Sequence, residues 1–147
     1  MTREISPRSV TLTRESEGVY VATNADGAQL RFGRGEGLLG PVELMLAAIA
    51  GCSSIDVDAM TTRRAAPERF EVTASADKVA EDGANILENI RVLFDLAFPE
   101  GPEGDAARKR VGAALRASHE RHCTVSRTVE AGVPVALLEA AEGAARG

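Results

Sequence analysis

The sequence predicts an α+β fold with the element order βββ-α-ββ-α-β, and three features carry that prediction. Residues 8 to 33 alternate in a strand-like way across two turn signals. Residues 42 to 60 are apolar or small on nearly every helical face. Alternation then resumes between Phe70 and Phe98 around a further turn.

Val10 and Leu12 precede a polar turn at Glu15 to Gly18, and Val19 and Val21 follow it. Leu30 and Phe32 follow a second turn at Asn24-Ala-Asp-Gly27. This spacing reads as a three-stranded meander. The stretch from Gly33 to Gly40 holds four glycines and reads as a flexible connection. Pro41 opens a helix, because the N–H it lacks would have no partner at that position. Glu43 falls in the first turn, where a negative charge suits the positive helix end. A helix that is apolar or small on nearly every face is expected to be largely buried. Arg63 and Arg64 suit its last turn, and Pro67 stops it.

Phe70, Val72, Ala74 and Ala76 alternate with polar neighbours as in a half-buried strand, and Glu81-Asp-Gly83 is a turn. Ile86 to Phe98 forms the next strand, and Pro99 to Gly104 breaks it. A helix is expected from about Asp105 to Arg121, with Val111, Ala114, Leu115 and Ser118 on one face. A short ambiguous piece follows Cys123. Val133 to Leu138 is expected as a last strand, and residues 139 to 147 as a fraying tail. The pattern describes a single domain over residues 1 to 147, with its core at about 8 to 138.

A length of 147 residues suffices for one hydrophobic core, and an apolar fraction of 44% is ordinary for a globular domain. A net charge of −5 argues against a nucleic-acid partner. The amino-terminal MTREISPRSV has no apolar core or cleavage signal, and the apolar run from Leu44 to Ala50 is too short to span a bilayer. A cytoplasmic protein with no membrane partner is therefore expected. Few lysines beside many arginines, with much Ala and Gly, suggest a bacterium with a GC-rich genome.

Two cysteines are too few to staple such a chain, and cytoplasmic thiols stay reduced unless they do chemistry. Cys123 follows a segment carrying Arg108, Lys109, Arg110, Arg116, His119, Arg121 and His122, with Arg127 beyond it. Cations favour a thiolate, the reactive form. On these residues alone Cys123 is either a reactive thiol or an incidental cysteine on a basic solvated face. Cys52 sits in an apolar helix with Asp56 one turn on, and both features raise a thiol pKa, so its own surroundings favour a structural role. A zinc site from Cys52, His119, His122 and Cys123 has the right ligand types but poor spacing, with no C-x2-C pair. Neither a metal nor any other cofactor is expected. Ser53, Ser54 and Ser126 lack a G-x-S-x-G setting for hydrolysis, and Gly33 to Gly40 lacks the G-K-[ST] ending of a phosphate loop.

The stretch GPVELMLAAIAGCSSID, followed about seventy residues later by HCTVSRT, resembles the OsmC/Ohr family. The matching residues are Pro41, Glu43-Leu44, Ala47-Ala48, Gly51-Cys52 and Cys123-x-Val125-Ser126. Ile55-Asp56-Val57 and Cys-x-Val-Ser look most like its YhfA-like subgroup. The resemblance implies an intertwined homodimer with the Cys-bearing helices at its centre and active sites at the interface. It implies reduction of organic hydroperoxides, with Cys52 attacking the O–O bond and Cys123 closing a disulfide. A dithiol reductant of lipoyl or thioredoxin type would then reopen that disulfide. The family's hydroperoxide reductases use an Arg and a Glu to activate the first thiol. Arg14 is the nearest match for the Arg, with Arg31 and Arg34 as alternatives. Counted from the Pro, the Glu position is Val42, with Glu43 one place later. Glu43 lies nine residues before Cys52, half a turn out of phase on a straight helix. The family's common Cys-Pro-Tyr-Ser is Cys-Thr-Val-Ser here. These departures leave a second reading open, a non-catalytic protein of the same fold that binds a small apolar ligand at the dimer interface. A homodimer also follows from the helix itself, whose apolar surface exceeds what so small a sheet can cover.

Overall fold

The structure is a computed structural model that describes residues 2–141. Its elements are β1 (Thr11–Ser16), β2 (Val19–Thr23), β3 (Gln29–Gly33), α1 (Pro41–Thr62), β4 (Arg69–Glu81), β5 (Ala84–Ala97), α2 (Pro102–Ala117), a single π turn (Ser118–His122) and α3 (Thr124–Ala131). The α+β class is as predicted. The described chain groups into two compact units. One comprises the residues up to Ala50 with Val72–Leu93, and the other comprises Gly51–Glu71 with the chain from Phe94 onward.

In the first unit β1, β2 and β3 form the predicted antiparallel meander, with Arg14 opposite Tyr20 and Val19 opposite Gly33. Asn24 builds the second turn itself, because its side-chain oxygen accepts from the N–H groups of Asp26 and Ala28 at 3.0 and 2.9 Å. Gly33 has φ 140°, and a Cβ there would run into the Gly18 carbonyl, so the close pairing of β2 and β3 requires glycine. Val19, Phe32, Ile49 and Ala50 are its buried apolar residues. Asp82 and Gly83 both have positive φ (52° and 80°), as a two-residue type I′ turn between β4 and β5 demands.

In the second unit Val57, Phe98, Ala107, Ala114 and Cys123 are buried, together with Thr61 and Ser118. Phe70 and Phe94 meet edge to face with centroids 6.4 Å apart, and Arg69 pairs with Asp95 at 2.8 Å. Thr61 meets the cost of its burial by donating to the Val57 carbonyl at 2.8 Å.

Four expectations are corrected. Helix α2 begins at Pro102, inside the stretch read as a breaker, because proline is favoured in a first helical turn. The ambiguous piece after Cys123 is a helix, α3, closed by Gly132 in the left-handed conformation at φ 61°. Val133 to Leu138 pairs with no strand, and Val133, Val135, Leu137 and Leu138 are all exposed. A strand exists only against a partner strand, and none lies beside this segment in the described chain. Helix α1 is also less buried than its composition predicts, with Val42, Met45 and Ile55 exposed. Over its full 22 residues α1 is, by length and composition alone, long and apolar enough to cross a bilayer. The core helix of a soluble protein has the same properties, and the Leu44–Ala50 run understated it. Of the predicted tail, residues 142–147 lie outside the described residues.

Candidate active site

The second unit brings Cys52 and Cys123 together, seventy-one positions apart in the chain. Helix α1 presents Cys52, Ser53 and Asp56, the π turn presents Ser118, and Cys123 is the N-cap of α3. A helix N-terminus leaves backbone N–H groups without helical partners, and an N-cap side chain accepts from them. Here a sulfur does so. Ser126 N–H points at Cys123 Sγ at 3.4 Å, and Val125 N–H donates to Cys52. The Cys-Thr-Val-Ser sequence is therefore the cap and first turn of a helix. Thr124 takes the first helical position.

The two sulfurs hydrogen-bond to each other. Cys123 is wholly buried, whereas Cys52 is only partly so. Ser53 Oγ donates to Cys123 Sγ at 3.5 Å, and Cys123 Sγ donates to Ser126 Oγ at 3.1 Å. Burial pushes the Cys123 thiol up. The hydroxyls of Ser126 and Ser53, the Ser126 N–H and the Cys52 thiol outweigh it, and the net direction is down. Burial also raises Cys52. The Val125 N–H opposes this, but the adjoining Cys123 and then Asp56 add to it, so the Cys52 pKa is raised.

Ser118 Oγ, itself buried, donates to Asp56 Oδ2 at 2.8 Å, and the Ser118 carbonyl accepts the Cys123 N–H at 2.8 Å. The second bond spans five residues and closes the π turn, a distortion often found at functional sites. Asp56 thus anchors the backbone that carries Cys123. His119 leaves the same turn for α3, where its ring meets Glu130 Oε1 at 2.8 Å.

Cations were the expected cause of a reactive Cys123. Hydrogen-bond donors lower its pKa instead, and no arginine or lysine is among the groups acting most on either sulfur. Sequence reasoning weighed Ser53 only for hydrolysis and placed Ser118 only on a helix face, and it missed their bonds to Cys123 and Asp56 and the Val125 N–H. A cysteine followed three residues later by serine, with a glycine closing the segment, was the available signal for α3. Arg14 and Glu43 belong to the first unit. Arg14 lies exposed on β1, Arg31 pairs with Glu15 at 2.6 Å, and Glu43 accepts from the Gly40 N–H at 2.9 Å in the first turn of α1. Among the described residues no group of three His, Cys, Asp or Glu side chains gathers as a metal site would require.

A family model described as OsmC-like protein matches residues 33–138, well over half of the chain. The chain belongs to the OsmC-like family. Solved structures of similar fold include a hypothetical protein from Aquifex aeolicus VF5, 22% identical over 86% of this chain and 89% of that one, with a TM-score of 0.68. An OsmC-like protein of unknown function from Vibrio cholerae is 14% identical over 86% and 95%, with a TM-score of 0.67. An OsmC-like protein from Mycoplasma pneumoniae is 14% identical over 85% and 88%, with a TM-score of 0.64. At these identities the likeness concerns the fold. No curated protein matches the chain.

Proposed function

We propose that this OsmC-like protein is a thiol-dependent peroxidase that reduces organic hydroperoxides through Cys52 and Cys123. The hydrogen bond between the two thiols is the observation that carries the reading, since two cysteines in contact need only an oxidant to become a disulfide. Cys52, the more accessible sulfur, attacks the peroxide and becomes a sulfenic acid, and Cys123 displaces water from it to form the disulfide. A dithiol of lipoyl or thioredoxin type returns the pair to its reduced state. The protein acts in the cytoplasm as a homodimer, and the partner supplies the apolar cover that α1 lacks. Arg14 and Glu43 are this reading's candidates for the charged groups that assist Cys52.

The raised pKa of Cys52 favours a second reading, in which the thiols are inert and the interface holds a small apolar ligand. One experiment separates the two. Reduced protein is mixed with an equimolar amount of cumene hydroperoxide and analysed by mass spectrometry without reductant. The peroxidase loses two hydrogens, mapped to a Cys52–Cys123 link, and Cys52→Ser abolishes turnover. Two intact thiols would reject the peroxidase and leave the ligand-binding protein.

A further inference from the structure

We propose that Cys123, besides closing the disulfide, is the base that takes the proton of Cys52 and so generates the attacking sulfur. The inference rests on the peroxidase reading and supplies its first step. Three donors converge on the buried Cys123 sulfur, the Ser53 hydroxyl, the Ser126 N–H and the Cys52 thiol, and the Ser126 hydroxyl, which accepts from the Cys123 thiol at 3.1 Å, can turn to donate once that proton is gone. A neutral thiol is a weak acceptor and does not need such a set, whereas a thiolate shut away from water does. Cys52 receives one backbone N–H and has Asp56 one turn away on its own helix. Negative charge is thus favoured on the inner sulfur and the proton on the outer one, which a peroxide reaches first.

The other charged groups nearby leave this arrangement in place. On α1, Asp56 opposes charge on Cys52. On the π turn, His119 is close enough to sense Cys123, but it is exposed and bonded to Glu130 of α3. Glu120, Arg121 and His122 of that turn and Arg127 of α3 are not among the groups acting most on either sulfur.

The step balances. The Cys52 proton passes to the Cys123 thiolate, and the Cys52 thiolate attacks the terminal peroxide oxygen. An S–O bond forms and the O–O bond breaks. The departing alkoxide takes the proton back from Cys123 and leaves as the alcohol. The restored Cys123 thiolate then attacks the Cys52 sulfenic acid and forms the S–S bond. The expelled hydroxide takes a solvent proton and becomes water. Two electrons pass from the sulfurs to the peroxide.

The test measures Cys52 sulfenic acid formation, trapped by dimedone, in wild type and in Cys123→Ser. A Cys123 that only resolves leaves this step at the wild-type rate, and that result would overturn the inference. A Cys123 that is the base slows it about a hundredfold at neutral pH, with recovery as the pH rises. Thiolate absorbance, followed against pH without peroxide, gives an independent reading. Cys52→Ser keeps a midpoint below the ordinary thiol value and Cys123→Ser loses it. The opposite pattern also refutes the proposal. Ser126→Ala moves the midpoint up by about one pH unit, and Ser126→Thr restores it, so the conclusion does not depend on how well Cys123→Ser folds. If the peroxidase reading alone is wrong, peroxide leaves wild type unoxidised while the titration stays as described.

Discussion

At the scale of single residues, the site depends on who donates to which sulfur. Asp56 does two things at once: it accepts from buried Ser118 and, after burial and Cys123, it adds to the raised pKa of Cys52. Asp56→Ala leaves the Ser118 hydroxyl without its acceptor and should cost about 1–3 kcal/mol in chemical denaturation. Asp56→Asn keeps an acceptor and should cost less. Both remove the charge, so both should lower the Cys52 pKa and speed its alkylation by iodoacetamide at neutral pH. Unchanged alkylation in both would mean that Asp56 does not act on Cys52. His119 offers a pH test. The hydrogen bond and charge of Glu130 raise its pKa above the ordinary imidazole value of about 6.5. A raised folded-state pKa means that the link from the π turn to α3 is complete below that value and is lost as pH rises through the higher folded midpoint. An NMR titration of the His119 ring should show the raised midpoint, and Glu130→Gln should bring it down. The ring is exposed, so water and salt limit its effect on stability.

At the scale of elements, what could be read depended on where each signal lay. The meander, the β4–β5 turn and α1 were legible because alternation, paired turn residues and an opening proline are local properties. Helix α3 was not, because its apolar pattern is too short to stand out and its cap is a cysteine, a residue read for its reactivity rather than as an N-cap. The site was half legible. The pairing of the cysteines came from a family resemblance, while Ser53 and Ser118 meet their partners only through tertiary packing. Gly132 tests the account of α3. Its φ of 61° suits glycine, and Gly132→Ala should cost about 1–2 kcal/mol. Because α3 supplies an N–H to each sulfur, the same substitution should raise the midpoint of thiolate absorbance. Loss of stability with an unmoved midpoint would mean that α3 does not tune the thiols.

At the scale of the whole molecule, the unresolved demand is for apolar cover. Ile55 is 72% exposed in the middle of the most apolar helix, and Leu137 is 92% exposed in a segment whose sequence reads as a strand. Scattered exposed apolar residues are ordinary, but a helix apolar on every side and an unpaired β-patterned segment both need a neighbour. These are two of the places where the sequence prediction differed from the single chain. Both differences have the same physical reason, because burial of a helix face and pairing of a strand are completed by surfaces that one chain need not contain. The proposed homodimer would meet both needs with a second copy of this chain. Light scattering at micromolar concentration should therefore give twice the chain mass of 15.4 kDa. Ile55→Asp puts a charge where the partner would pack. It should weaken the dimer by about 2 kcal/mol or more, which raises the dissociation constant at least about thirtyfold. Removal of residues 133–141 should weaken it through lost strand pairing. If the wild-type chain is a monomer, the exposed face of α1 needs a different occupant, and the interface cannot be the place where Arg14 or Glu43 reaches Cys52.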